Sequence, residues 1–269
     1  MLLLVLIITL PPLFAPLLHN HDSPRSALRE AIYTTRINET LKEMEEAGHT
    51  VIFASARPIR DLLPVLDEYF HQHTLIGGNG ALISEKGKIT YARNFSLDQI
   101  EYIKILITEH KATYLIDGEW DYSYTGSADH PILQNLDPQK RAANISLTDH
   151  PSIVKVLILS ADDKDGLLHK LSTLDVVIHM HGGEDVIDIS PKGIHKLAAI
   201  QRLTDDYIAF GNDANDIQLF KGACRSIMIG RHAELSAYAD ESISLEGDYE
   251  DKIIQKLREL SEKYKIVEV

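Results

Sequence analysis

The 269-residue chain has a single cysteine, Cys224, which excludes an internal disulfide and fits a reducing compartment. As a lone thiol it reads most simply as a small apolar residue. Positive charge is short as well: 27 basic residues against 40 acidic ones leave a formal charge of −13. That balance opposes non-specific binding to nucleic acid or to an anionic membrane surface. A small anionic ligand has to be met locally, by a lysine or a metal. No internal repeat and no low-complexity tract is visible. Carboxylate is scarcest near the beginning, where residues 1–29 hold one acidic residue, Asp22, and no glycine.

The opening "MLLLVLIITLPPLFAPLL" carries no Lys or Arg before Arg25, so it lacks the basic n-region of a secretory signal. Pro11, Pro12 and Pro16 break its apolar run before that run is long enough to span a bilayer as a helix. "LLLVLIITL" therefore reads first as a buried parallel strand, and second as an unusual membrane or export segment. A cytoplasmic location is the expectation. An alternative start or a shifted reading frame would also leave an apolar leader running into a regular chain from about residue 36. The nucleotide sequence decides between these.

A composition with 44% hydrophobic residues buries a large core and suits one large domain or two of moderate size. "INETLKEMEEAGHT" sets Ile37, Leu41 and Met44 at helical spacing and stops at Gly48. "VIFAS" is a continuous apolar strand, "PIRDLLPVLDEYF" reads as a helix, and "TLIGGNGALISEKGKITYA" as a strand, a glycine turn and a hairpin. Helices alternating with short apolar strands imply a parallel sheet covered on both faces. The middle differs. "SLDQIEYIKILITEH" and "DDKDGLLHKLSTL" are helices among strands joined by glycine turns, the pattern of an α+β module with an antiparallel sheet. The expected organisation is a doubly wound α/β core, residues 1–82 and 189–269 with 1–35 atypical, into which an α+β module at 83–188 is inserted. "KLAAIQRL", "YIAFGND", "SIMIG" and "YEDKIIQKLRELSEKY" resume the alternation after it.

Three stretches fall near the C-terminal ends of predicted core strands, where open α/β sheets place their ligands. "VIFASARP" sets the hydroxyl of Ser55 just past a strand. "DISPKGIHKLAAI" offers Lys192 and Lys196 at the return from the inserted module. "AFGNDANDIQLF" crowds Asn212, Asp213, Asn215 and Asp216 at a strand end. Carboxylates packed so closely repel unless a positive group sits among them, which points to a divalent cation on hard oxygen ligands. A turn with an N-cap uses the same residues. A hydroxyl, an ammonium and a metal together hold a phosphoryl group and neutralise its charge in transfer.

On these motifs the chain resembles the haloacid dehalogenase-like hydrolases, and within them the Cof-type phosphatases with the larger α+β cap, over roughly residues 36–269. The resemblance implies that Ser55 serves as the second-motif hydroxyl, with Arg57 beside it in "SAR" where "TGR" is commoner. It implies that Lys196, and not Lys192, is the lysine of "PKGIHK". In "GNDAND" it assigns a Mg²⁺ site to Asn212, Asp213 and Asp216 and substrate contact to Asn215. Asn212 replaces the usual first aspartate. Asn79 of "IGGNGA" would face the substrate, and cap side chains such as Glu119, Trp120 and Asp121 would choose it. The family's mechanism uses two aspartates of a motif like "DxDGT", one attacking phosphorus and the other acting as acid and base. That motif is absent. Counting back from Ser55 by the family's separation of about thirty-four residues reaches Asp22, a weak candidate nucleophile.

Two functions follow from the resemblance: a Mg²⁺-dependent phosphatase of small phosphorylated metabolites, or a non-catalytic protein that keeps the phosphate pocket for binding or regulation. "HNH" at 19–21, "HQH" at 71–73 and "HMH" at 179–181 have alternate-residue spacing on a strand. That spacing alone assigns none of them a metal.

Overall fold

The computed structural model describes residues 5–10, 34–180 and 186–264. Strands β1 (Val5–Leu10), β2 (Thr50–Ser55), β3 (Leu75–Gly77), β4 (Leu82–Glu85) and β5 (Lys88–Ala92) belong to a larger sheet. Strands β6 (Thr113–Asp117), β7 (Tyr122–Tyr124), β8 (Lys155–Ser160), β9 (Val176–Met180) and β10 (Ile187–Pro191) form a separate antiparallel sheet. Strands β11 (Ile208–Gly211), β12 (Arg225–Ile229) and β13 (Glu241–Ile243) return to the larger one, whose order is β13-β12-β11-β1-β2-β3-β4-β5. The helices are α1 (Thr35–Glu46), α2 (Ile59–Leu62), α3 (Leu97–Glu109), α4 (Lys164–Leu171), α5 (Lys196–Ile200), α6 (Ile217–Gly222) and α7 (Tyr249–Lys263). This is a Rossmann-like core with an inserted α+β cap.

Pairing from β13 through β3 is parallel, so these strands are covered on both faces and need continuous apolar runs. The leader run supplies one of them: β1 lies between β11 and β2 and is parallel to both. On one face of the sheet α1 buries Ile37, Leu41 and Met44, and α7 buries Ile253, Ile254, Leu257 and Leu260, in a single apolar cluster with Phe53 and Phe210. The opposite face packs Ile52, Ala54 and Ala209 against Ile200, Leu219 and Phe220. In the cap, Ile116, Val156, Ile187 and Ile189 pack against Ile103 and Leu106 of α3 and Leu167 and Leu171 of α4.

Two expectations are revised. "PIRDLLPVLDEYF" forms only the four-residue α2, followed by 3-10 turns at Leu63–Val65 and Glu68–Gln72. Pro64 cannot donate a helical hydrogen bond, and Asp67 starts a new turn by accepting from the Tyr69 N–H. The hairpin of β4 and β5 pairs onto the larger sheet, although the inserted module was expected from residue 83. Among the described residues no helix is long and apolar enough to cross a membrane.

Candidate active site

Ser55, the Asn79 turn, Lys196 and the loop Asn212–Asp216 lie where the parallel strands β2, β3 and β11 end, whereas Lys192 is exposed and pairs with Asp175. Ser55 is the last residue of β2 and is fully buried. Its Oγ accepts the Arg57 N–H at 3.1 Å, which folds the chain into a tight loop and leaves the hydroxyl proton available to donate. The glycine turn after β3 seats on this loop. The Gly78 N–H donates to the Arg57 carbonyl at 2.7 Å, and a Cβ on Gly77 would stand 2.8 Å from the Ile59 nitrogen. Asn79 adopts the left-handed conformation at φ 58°, and its Oδ1 is buried without a hydrogen-bond partner. Gly80, at φ 106°, would carry a Cβ 2.7 Å from the His195 carbonyl, so only glycine lets the turn abut the start of α5.

Lys196 opens α5 and is 3% exposed. Its Nζ donates to Asp216 Oδ1 at 2.7 Å. Asp216 Oδ2 accepts the backbone N–H groups of Asn212 at 2.9 Å and of Asp213 at 3.2 Å. One carboxylate therefore aims the lysine and folds the loop that follows β11. Asp213 caps the turn Ala214–Asp216 by accepting from the Ala214 N–H at 2.7 Å. The N-cap reading of "GNDAND" is thus realised, and Asp216, expected as a metal ligand, is engaged by Lys196 and the backbone. Asn212, Asp213 and Asn215 are half-buried on the same loop. Among the described residues no cluster of three or more His, Cys, Asp or Glu side chains could hold a metal ion. The Asn212 amide and Asp213 carboxylate still suit Mg²⁺, which takes one or two protein oxygens and completes its shell with water and substrate phosphate.

Strand β1 runs between these two edges. Leu10 stands in register with Ser55, and Ile8 with both Phe53 and Phe210. The described end of this strand therefore reads Thr9 and Leu10, without a carboxylate. Asp22 lies twelve residues beyond Leu10 in sequence and outside the described residues. The histidine patterns stay structural where described: His71 Nε2 donates to the Leu63 carbonyl at 2.9 Å, and His73 pairs with Glu45 at 2.8 Å. Residues 19–21 and 181 are outside the described set.

Three groups of charged or titratable side chains were not singled out from sequence. His232, just past β12, places Nε2 3.4 Å from Asp213 Oδ1. Lys155 and Asp188 form a buried pair at 2.9 Å on the cap sheet. Arg60, on α2, is fully buried between Asp61 and Asp117. Burial works against the charged guanidinium, but the two carboxylates outweigh it and raise its pKa. For Asp61 burial wins over Arg60, and its pKa is raised. The available signal was "IRDL", an ion pair in an otherwise apolar stretch directly after the Ser55 loop.

The sequence family described as haloacid dehalogenase-like hydrolase matches residues 29–246. YkrA of Bacillus subtilis strain 168, to which phosphatase activity is provisionally ascribed, is 24% identical over 221 residues, covering 75% of this chain and 81% of its own. A haloacid dehalogenase-like hydrolase from Bacteroides thetaiotaomicron superposes with a TM-score of 0.71 at 18% identity, covering 96% of this chain and 99% of that one. The subclass IIB sugar phosphatase BT4131 does so with a TM-score of 0.65 at 15% identity, over 96% and 98% of the two chains.

Proposed function

Because the chain belongs to the haloacid dehalogenase-like hydrolases, we propose that its crevice takes the phosphoryl group of a small phosphorylated metabolite, such as a sugar phosphate, in Mg²⁺-dependent phosphatase chemistry. The observation that carries this reading is the buried Lys196, aimed by Asp216 at the strand edge where Ser55 and the Asn79 turn also stand. Lys196 has three N–H bonds and spends one on Asp216. Ser55 accepts from the backbone and donates its proton to a phosphoryl oxygen. The Asn79 amide orients the ligand from the turn. Asn212 and Asp213 would hold Mg²⁺, which when bound supplies neutralisation of charge developing on the phosphoryl oxygens. The phosphatase names attached to YkrA and BT4131 support the substrate class. Low cysteine content supports a cytoplasmic location.

The non-catalytic alternative uses the same pocket and rests on the lack of a carboxylate at Leu10, the register partner of Ser55. Binding is tested first. Titration with inorganic phosphate should show saturable binding that Lys196→Met weakens by about 10- to 100-fold, the value of a charge-assisted hydrogen bond. Equal affinity in the two proteins would sink the assignment of the pocket.

A further inference from the structure

We propose that Arg60 is a positioning residue that fastens the cap loop Gly118–Tyr122 to the Ser55 loop and so sets the cap on the core. It rests on the functional reading only in calling the Ser55 loop a phosphate loop; the fastening itself does not. Arg60 lies five residues past Ser55 on α2, and the intervening backbone is clamped by Gly77 and Gly78. The guanidinium is therefore carried rigidly by the loop. It reaches in two directions. Nε and Nη2 donate to the two oxygens of Asp61 at 2.9 and 2.8 Å, within the core. Nη2 also donates to Asp117 Oδ1, and Nη1 to the Trp120 carbonyl, both at 2.8 Å and both in the cap. The Tyr122 ring covers the guanidinium with its centroid 4.9 Å from Cζ.

The contacts close into a circuit. The Trp120 indole donates to the Arg141 carbonyl, the Arg141 N–H donates to Asp137 Oδ1, and the Asp137 N–H donates to Asp61 Oδ1, each at 2.8 Å. From Asp61 the path returns to Arg60. Every link from Trp120 to Asp137 lies in the cap, and the circuit meets the core only at Arg60 and Asp61. Arg60, Asp61 and Asp117 are at most 2% exposed, so one cation balances two carboxylates that water does not reach. Removing the arginine leaves both carboxylates buried without it, which favours swinging the cap loop away until they hydrate. Lysine cannot replace the fork, because its single ammonium lacks the planar geometry that serves Asp61, Asp117 and a carbonyl together.

Trp120 is the only tryptophan in the chain and sits in the circuit, so it reports directly on this contact. Emission and acrylamide quenching are compared in the full-length ligand-free protein and its Arg60→Met, Arg60→Lys and Asp117→Asn variants, with circular dichroism as a check on folding. Arg60→Met should shift Trp120 emission to the red and raise its quenching about twofold or more, without loss of secondary structure. Arg60→Lys should restore only part of the wild-type signal. Asp117→Asn, which keeps shape and leaves Arg60 paired with Asp61, should shift the signal in the same direction and carries the test if Arg60→Met fails to fold. Unchanged emission and quenching in folded Arg60→Met, or in Asp117→Asn where Arg60→Met does not fold, would overturn the proposal. Phosphate binding plays no part in this readout, so failure of the functional reading in its own assay is distinguishable from failure here.

Discussion

Replacing Lys196 with methionine keeps most of the side-chain volume and removes the ammonium from a pair whose members are 3% and 0% exposed. Asp216 then remains a buried carboxylate with Oδ2 on two backbone N–H groups and without the Lys196 bond to Oδ1. Breaking a buried pair from one side costs about 3–5 kcal/mol, and the surviving backbone donors place this case near the lower end, at about 3 kcal/mol. At roughly 2–4 °C per kcal/mol for a chain approaching this size, the melting temperature should fall by about 6–12 °C. Asp216→Asn should cost a similar amount, because the ammonium of Lys196 is then the uncompensated charge. The double variant removes both charges and should lose less than the two single losses added, by about 2 kcal/mol. Urea unfolding of the four proteins at neutral pH, followed by circular dichroism, measures the cycle. Single losses that add to within about 0.5 kcal/mol would show that the pair is not coupled and that Asp216 does not aim Lys196.

Mg²⁺ or Mn²⁺ at millimolar concentration should stabilise the protein by less than about 1 kcal/mol, because Asp216 is already engaged and Asp213 is the main charged ligand left. Asp213→Ala should abolish the effect, and no shift in the wild-type protein would remove Mg²⁺ from the proposal. Turnover of phosphate monoesters by the chain as it stands should be very low, since binding groups do not replace a covalent nucleophile and its acid/base partner. It should appear when the residues after Ile8 are rebuilt as "DxDGT", the strand end that faces Ser55; robust turnover of the unmodified chain, abolished by Asp22→Asn, would refute this. Burial holds the pKa values of His49 and His150 below the ordinary 6.5, so the unfolded chain takes up protons before the folded one as pH falls. These two groups should leave stability unaffected well above pH 6.5 and lower it as pH falls through that value; His49→Gln should flatten the decline, and superimposable acid profiles would contradict the assignment.

Much of the fold was legible from local pattern. Ile253, Ile254, Leu257 and Leu260 repeat at helical spacing and all reach the core. Ser96 and Gln99 form the capping box that starts α3, and Gly48 takes φ 91° after α1. The continuous apolar runs of β1 and β2 became parallel strands, because a strand covered on both faces has no polar side to show. The pocket was legible in part, since the three motifs lay at strand ends and the topology of an open α/β sheet brings such ends to one edge.

What the sequence determined, then, was most of the helices and strands, the α/β class, and the small set of polar residues at the strand ends; all of these follow from patterns within a few residues. Tertiary structure decided which groups meet. Asp216 reads as a metal ligand in "GNDAND", and only packing puts Lys196, twenty residues earlier, on its Oδ1. Counting along the chain led to Asp22, whereas strand pairing sets Leu10 across from Ser55, because register depends on hydrogen bonds between distant segments. The circuit through Arg60 joins residues 60, 61, 117, 120, 137 and 141, and the local pair in "IRDL" does not announce its partners in the cap. A buried charge requires a partner, and the partner's identity is settled by which chain segments fold against it.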